Sequence, residues 1–175
     1  MTSARDRRSV RLQEFDYGAQ GAYLIAISTH QRGCLFGEVV GDAIALSPLG
    51  EIAAACWEQI PNHFPHADLD AWVVMPNHIH GILILEDRRG TPWRAPTRFE
   101  RFGRPVAGSV PTIVRSYKAA VTARARREGL AREVWQRNYY EHVLRSDEDV
   151  QRARGYITNN PARWAMDREN PARHR

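Results

Sequence analysis

Residues 72–85 read WVVMPNHIHGILIL, two apolar runs joined at Pro76-Asn77. The second run is apolar at every position beyond its histidines, as expected for a strand that is covered on both faces. Side chains alternate between the two faces of a strand, so we expect His78 and His80 to project from the same side. Two imidazoles in this arrangement can share one divalent metal ion, and a pair of structural histidines with satisfied hydrogen bonds is the alternative.

The composition is that of one globular domain. The chain has 175 residues, of which 43% are hydrophobic and 26% are charged, enough to bury a real core. No apolar run approaches the roughly 20 residues that cross a bilayer, and the charged N-terminus lacks the apolar core of a secretion signal. Cys34 and Cys56 are too few for a disulfide scaffold, which favours a reducing compartment. We therefore expect a cytoplasmic protein without a membrane partner.

Positive charge is concentrated in one part of the chain. Residues 88–137 hold thirteen arginines or lysines against three acids, whereas the net charge of the whole chain is +5. A segregated basic segment of this kind is typical of a protein that binds a polyanion. Lys118 is the only lysine, so nearly all of the positive charge is guanidinium, which suits bidentate phosphate contacts and stacking on bases. An arginine-rich composition with solvated faces is the alternative.

Hydrophobic periodicity predicts strands that are separated by helices. In chain order we predict a strand at 22–29, a hairpin at 34–46, a helix from 47 that Pro61 stops, a strand pair at 68–85, a helix at 109–129, a strand at 139–144 and a helix from 146 to about 160. This order predicts the α/β (α+β) class, a ferredoxin-like or RRM-like two-layer sandwich whose antiparallel sheet has its helices on one face. We expect a polar arm at 1–20, one domain at 21–165 with a basic loop at 88–108, and a polar tail at 166–175.

The predicted helix at 109–129 combines an apolar stripe with a basic outer face. Arg115, Lys118 and Arg126 lie away from the stripe, which suits a helix that lies against a phosphate backbone. Arg137 belongs to the segment WQRN at 135–138, whose side chains could contact bases or pack on a sheet edge. These four basic residues are our candidates for contacts with DNA.

A metal centre and a nucleophile can be assembled from the two ends of the predicted domain. If the amide oxygen of Asn160 joins His78 and His80 on one ion, two imidazoles and a neutral oxygen suit Mg2+ or Mn2+. Tyr156 is four residues before Asn160 and therefore shares its helix face. A phenol beside such an ion could attack phosphorus and keep the phosphodiester energy in a phosphotyrosine. The general base stays open, with His142, Glu141 or a water as candidates.

These residues carry a resemblance to a known family. The motif MPNHIH at 75–80 looks like the HUH signature of the single-strand DNA tyrosine transposases, and the blocks at 15–32, 134–143 and 155–161 look like the REP-associated branch. The resemblance covers residues 10–165 in family order. It implies a ferredoxin-like catalytic domain, usually a homodimer, that cleaves and joins single-stranded DNA next to hairpins.

The family pattern also implies a role for each site residue. His78 and His80 match its metal ligands, and Tyr156 matches the nucleophile that forms a 5′-phosphotyrosine and frees a 3′-hydroxyl. Asn160 stands where the insertion-sequence branch usually has Gln as a third ligand. The rival phenols are those of Tyr117, which belongs to an apolar stripe, and of two tyrosines that should face opposite ways on one strand, Tyr139 and Tyr140.

Three functions follow from these expectations. The first is metal-dependent nicking and rejoining of single-stranded or hairpin DNA by a transposase-like enzyme. The alternative is a domesticated hairpin nucleic-acid-binding protein without turnover. A third is a metal-dependent hydrolase that cleaves without a covalent intermediate.

Overall fold

The computed structural model describes residues 20–86, 106–167 and 169–174. Most of the predicted N-terminal arm, with its Phe15-Asp16-Tyr17 segment, lies outside the described residues, as does the greater part of the predicted basic loop, 88–105. None of the described helices combines the length and the apolarity that a bilayer crossing requires.

The described chain contains six strands and four helices. The strands are β1 (Gly21–Ser28), β2 (Gly37–Val40), β3 (Ala43–Leu46), β4 (Ala67–Met75), β5 (His78–Leu85) and β6 (Tyr140–Leu144). The helices are α1 (Pro48–Glu58), α2 (Ile60–His63), α3 (Val110–Arg127) and α4 (Asp147–Thr158), and 3-10 turns follow at Pro161–Met166 and Pro171–His174.

The main sheet has the strand order β4-β5-β1-β6 and is antiparallel throughout. Strands β1, β4, β5 and β6 with helices α1 and α3 form a β-α-β-β-α-β unit, the ferredoxin-like arrangement. The β2–β3 hairpin is an insertion between β1 and α1. The predicted class and the predicted antiparallel sheet, with the His78 strand at its centre, are confirmed.

The two faces of the sheet carry different helices. Odd-numbered residues of β1, such as Tyr23 and Ile25, pack with α1 and α3 in the main core. Even-numbered residues, such as Leu24, pack with Ala153 and Ile157 of α4 in a second cluster. The prediction that the helices share one face is therefore correct for α1 and α3 and wrong for α4. The apolar side of α4 covers the opposite face, which would otherwise expose its aliphatic side chains to water.

Local sequence explains where the helices begin. The Ser47 hydroxyl accepts a hydrogen bond from the Gly50 amide at 3.1 Å, and the Ser146 hydroxyl accepts one from the Asp149 amide at 3.2 Å, so each serine caps the helix that follows it. Pro61 does not stop the first helix, because α1 already ends at Glu58. The proline instead lies in the first turn of α2, where its missing N–H removes no helical hydrogen bond.

The close contact of α1 with the sheet depends on a glycine. A Cβ atom at Gly81 would lie 2.3 Å from Cζ2 of Trp57, the largest fully buried side chain. Only a residue without a side chain leaves room for the indole at this point of β5. Packing of the Trp57 indole on the other face of the sheet therefore requires a glycine directly after His80.

An ion pair attaches α4 to the edge strand β4. The Arg154 Nε atom lies 3.0 Å from both carboxylate oxygens of Asp70, and its Nη2 atom lies 2.6 Å from Oδ2. Hydrogen bonding to Arg154 is the main reason that the pKa of Asp70 lies below its usual value. A carboxyl group with a lower pKa in the folded chain stabilises the fold above its unfolded pKa, and this contribution is lost as the pH falls through the folded value.

We predict that Asp70→Asn lowers the melting temperature at pH 7 by about 2–4 °C, because the charge of the paired carboxylate is lost. The difference from wild type should shrink below about pH 4, where the wild-type carboxyl group is protonated as well. Asp42→Asn, which removes an exposed carboxylate from the β2–β3 turn, is the matched control and should leave the melting temperature nearly unchanged. If the difference in melting temperature between Asp70→Asn and wild type stayed constant from pH 7 to pH 3, the stabilising role of the ionised Asp70 carboxylate would be contradicted.

Candidate active site

A cavity of about 940 Å3 lies on the face of the sheet that α4 covers. Its floor is formed by Leu24, Ala26 and Ser28 of β1, and its walls come from β5, α4, the segment before β6 and the chain after α4. Its lining includes six side chains with chemistry of interest: His78, His80, Tyr156, Asn160, Asp167 and Glu169.

The two histidines lie side by side at the start of β5. Strand pairing sets His78 opposite Ser28 and His80 opposite Ala26, and their ring centroids are 4.5 Å apart. Both side chains are buried. Burial is the main cause that lowers the pKa of His78 to about 3 and that of His80 to about 4, so both imidazoles are neutral at physiological pH. A neutral imidazole is the form that binds a metal ion.

Asn77 sets the tautomer of His78. Its amide nitrogen donates hydrogen bonds to the backbone carbonyls of Arg32, at 3.0 Å, and Glu169, at 2.6 Å. Its amide oxygen therefore faces Nδ1 of His78 at 2.8 Å, and that nitrogen must donate. The proton on Nδ1 leaves the Nε2 lone pair of His78 available for another partner. Sequence reasoning did not identify this role, and the only signal was a polar residue at the turn before the histidines.

Tyr156 points from α4 toward the histidines. Its phenolic oxygen is 3.2 Å from Nε2 of His80, and 45% of the residue's surface remains exposed. Partial burial is the main cause that raises the pKa of Tyr156, with the charges of Asp167 and Glu169 acting in the same direction and a hydrogen bond with Asn160 opposing them. The phenol is therefore protonated at neutral pH and accessible from the cavity.

Three buried polar atoms of His78, His80 and Asn160 have no hydrogen-bond partner among the described residues. They are Nε2 of His78, Nδ1 of His80 and the amide oxygen of Asn160. Buried polar atoms are normally hydrogen-bonded, so three neighbouring exceptions indicate a missing ligand. Two imidazole nitrogens and an amide oxygen are the donor set that we expected for Mg2+ or Mn2+, and the structure brings their residues to one cavity. The described ranges contain no group of three or more His, Cys, Asp or Glu side chains that could hold a metal ion.

Asn160 is buried, although the sequence placed it at a fraying helix end. Helix α4 ends at Thr158, and Pro161 begins a 3-10 turn that continues past the site. The Trp164 ring in this turn lies 6.1 Å from the His78 ring. The chain after 161, which we expected to be polar and to form a tail from 166, thus contributes to the cavity wall as far as Glu169.

The rival tyrosines occupy other environments. Tyr117 is buried, and its hydroxyl donates to the Ala53 carbonyl at 3.0 Å, so its predicted core position is confirmed. The Tyr139 side chain packs against the main core, and its hydroxyl donates to Glu141 at 2.6 Å. Tyr140 pairs with Ala26, and both tyrosines contribute to the lining of the cavity.

The two candidate side chains for the general base, His142 and Glu141, lie on opposite faces of the sheet. His142 pairs with Leu24 on the cavity face, whereas Glu141 pairs with Ile25 on the opposite face and accepts from Tyr139. Glu141 is thus turned away from Tyr156, and the identity of the base stays a prediction.

The candidate DNA contacts are divided between the two sides of the sheet. Arg115 and Arg126 are exposed on α3, across the sheet from the cavity, and the Arg126 guanidinium donates to the Arg132 carbonyl at 3.3 Å. Arg137 is exposed between Gln136 and Asn138, both of which line the cavity. Of the four basic candidates, Arg137 is thus the one whose chain neighbours on both sides line the cavity.

Lys118 does not lie on the outer face of α3 where we expected it. Its ammonium group is 2.5 Å from the Gln136 carbonyl and also reaches the carbonyls of Arg137 and Asn138 at 3.4 and 3.5 Å. The Trp135 indole donates back to the Lys118 carbonyl at 3.1 Å. Burial lowers the pKa of Lys118 to about 8. Lys118 thus holds the 136–138 segment, one wall of the cavity, against α3.

We predict that the side chain of Lys118 titrates near pH 8, because burial disfavours its charged form. Lys118 is the only lysine, so selective 13C-lysine labelling gives one side-chain NMR signal to follow against pH. In Trp135→Phe, which keeps a ring but removes the indole donor, the midpoint should move toward the ordinary lysine value as the contact loosens. A wild-type titration midpoint near pH 10.4 would contradict the buried position of Lys118 and would indicate a solvent-exposed ammonium group.

Comparisons with known proteins bear on the family and the fold of the chain. No protein-family model matches the chain. An uncharacterized protein of Haemophilus influenzae (strain Rd) is 40% identical over 165 residues, which cover 92% of this chain and 91% of that protein. The structure of a REP-associated tyrosine transposase bound to a REP hairpin superposes with a TM-score of 0.59 at 18% identity, covering 89% of this chain and 73% of that one. The chain therefore belongs to the family of the Haemophilus influenzae protein and has the fold of the REP-associated tyrosine transposase.

Proposed function

We propose that the chain is an HUH-type, transposase-like enzyme that nicks and rejoins single-stranded DNA through a 5′-phosphotyrosine on Tyr156. The observation that carries the proposal is the set of three buried polar atoms of His78, His80 and Asn160 that have no partner among the described residues, beside an accessible phenol. In a structural histidine pair the buried ring nitrogens are normally hydrogen-bonded, because each buried polar atom without a partner costs about 1–3 kcal/mol. The likeness in fold to a transposase supports the same reading.

His78, His80 and Asn160 are the residues that would hold Mg2+ or Mn2+. The ion would polarise the scissile phosphate and stabilise the charge that develops on it. Asn77 holds His78 in the tautomer that presents Nε2, and burial keeps both imidazoles neutral. Asp167, next to His80 and Tyr156, favours a cation in this part of the cavity.

Tyr156 would act as the nucleophile. Its phenolic oxygen forms a bond to phosphorus while the bond from phosphorus to the 3′-oxygen breaks, which frees a 3′-hydroxyl. Because the pKa of Tyr156 is raised, the phenol must lose its proton as it attacks. Attack of a 3′-hydroxyl on the phosphotyrosine reverses the step and rejoins a strand without hydrolysis, since the phosphodiester energy is retained.

The partners follow from the same proposal. The solved transposase was bound to a REP hairpin, and we infer that this chain also acts on hairpin-flanked single-stranded DNA as a homodimer in the cytoplasm. Arg137, which lies between two cavity-lining residues, would contact the strand there. Arg115 and Arg126, on the other side of the sheet, would contact a more distant part of the DNA, and Lys118 would act by holding the cavity wall.

We predict an SDS-resistant covalent adduct when the protein is incubated with Mn2+ and labelled hairpin DNA that carries single-stranded flanks. Tyr156→Phe should reduce the adduct to below about 1% of wild type, because it removes the attacking oxygen and keeps the ring. Tyr139→Phe removes a neighbouring phenol whose hydroxyl is hydrogen-bonded to Glu141, and it should retain the adduct.

Other outcomes of this assay point to other functions. An adduct that persists in Tyr156→Phe would remove Tyr156 from the mechanism. Cleavage without an adduct, unaffected by that substitution, would indicate the metal-dependent hydrolase. Binding of hairpin DNA with neither cleavage nor adduct would indicate the domesticated binding protein.

A further inference from the structure

A row of three residues crosses the sheet beside Tyr156. Strand pairing aligns His80 of β5 with Ala26 of β1, and Ala26 with Tyr140 of β6. All three line the cavity. Adjacent strands are about 4.8 Å apart, so the backbones of His80 and Tyr140 are separated by about 10 Å with only a methyl group between them. The sheet thus leaves an open slot between the imidazole and the phenol ring.

Exposed apolar surface is concentrated at this slot. The described residues include five exposed large hydrophobic side chains: Val40, Leu130, Tyr140, Tyr156 and Met166. The last three of them line the cavity. Tyr140 is 51% exposed, and its ring has no hydrogen bond or ring contact within the described chain. An aromatic ring that is left open above a cavity is suited to stack on a flat ligand.

Polar groups for the edge of such a ligand lie at one end of the slot. Gln136 and Asn138 line the cavity, and their side-chain amides offer both donors and acceptors. Their backbone is held in place, because the Gln136 amide donates to the Ser28 carbonyl at 3.0 Å and both carbonyls accept from Lys118. Arg163 adds a positive charge to the opposite wall. A flat ring, amides at its edge and a nearby guanidinium together match an unpaired nucleobase with its phosphate.

We propose that Tyr140 is the stacking platform for the unpaired DNA base next to the phosphodiester that Tyr156 attacks, with Gln136 and Asn138 contacting the edge of that base. This inference rests on the proposed function, and it names a residue that positions the substrate. Ala26 keeps the slot open, and a larger side chain at this position would fill it.

The test measures binding in a Tyr156→Phe background, so that no cleavage intervenes. The probes are hairpin oligonucleotides with a single-stranded flank in which 5-iodouracil replaces one base at a time. Irradiation should cross-link one flank position to Tyr140, as mapped by mass spectrometry of the peptide. In fluorescence anisotropy, Tyr140→Ala and Ala26→Val should each weaken binding about ten-fold. Tyr140→Trp should retain affinity, and Val40→Ala, an exposed hairpin residue, is the matched control.

An abasic residue at the cross-linked position separates stacking from a structural effect. The Tyr140→Ala penalty should disappear with the abasic probe, because the ring then has no base to contact. An equal penalty on both probes, or an unchanged affinity for Tyr140→Ala, would overturn the inference. Tighter, Tyr140-dependent binding of the corresponding RNA hairpin would overturn DNA as the occupant.

The outcomes distinguish this inference from the proposed function. A ten-fold loss in Tyr140→Ala, together with no adduct from the chain that keeps Tyr156, overturns the covalent step and supports the base site. Normal adduct formation with no effect of Tyr140→Ala overturns the base site alone. Failure of every probe to bind overturns both.

Discussion

Burial of two neutral imidazoles side by side is the constraint on which the rest of the structure depends. Each ring leaves water, and one nitrogen of each ends without a partner among the described residues, as does the Asn160 amide oxygen. Three such atoms together cost several kcal/mol, a large share of the 5–15 kcal/mol that stabilises a typical domain. In the function that we propose, a bound cation would offset this cost. Tight packing by Asn77 and the Trp164 turn then serves to hold the donors in place.

Strand alternation lets one sheet serve both stability and chemistry. The odd-numbered side chains of β1 and β5 meet α1 and α3, where Gly81 leaves room for the Trp57 indole. The even-numbered side chains form the cavity with α4. Helix α4 is held by an aliphatic contact at Ile157 and by the Asp70–Arg154 ion pair, so the position of Tyr156 depends on interactions outside the site.

Sequence patterns predicted the parts of the site that depend on local geometry. The two-residue period placed His78 and His80 on one face, and the four-residue spacing placed Tyr156 near Asn160. The face that α4 covers was not predictable, because an apolar helix stripe does not specify which side of a sheet it meets. The inward position of Lys118 depends on carbonyls some twenty residues away, which no periodicity encodes. The folded turns after Pro161 lack a periodic signal altogether, and the roles of Asn77 and Trp164 appear only in three dimensions.

The central claim is that the two imidazoles and the Asn160 amide bind one divalent ion. Electron spin-echo spectroscopy of Mn2+ bound to the wild-type chain tests it most directly, because nitrogen nuclei in the first coordination sphere modulate the echo. The account predicts couplings from two imidazole nitrogens, reduced to one in His78→Ala and in His80→Ala and unchanged in His142→Ala. A Mn2+ spectrum without nitrogen couplings, or one that the His78 and His80 substitutions do not alter, would contradict it.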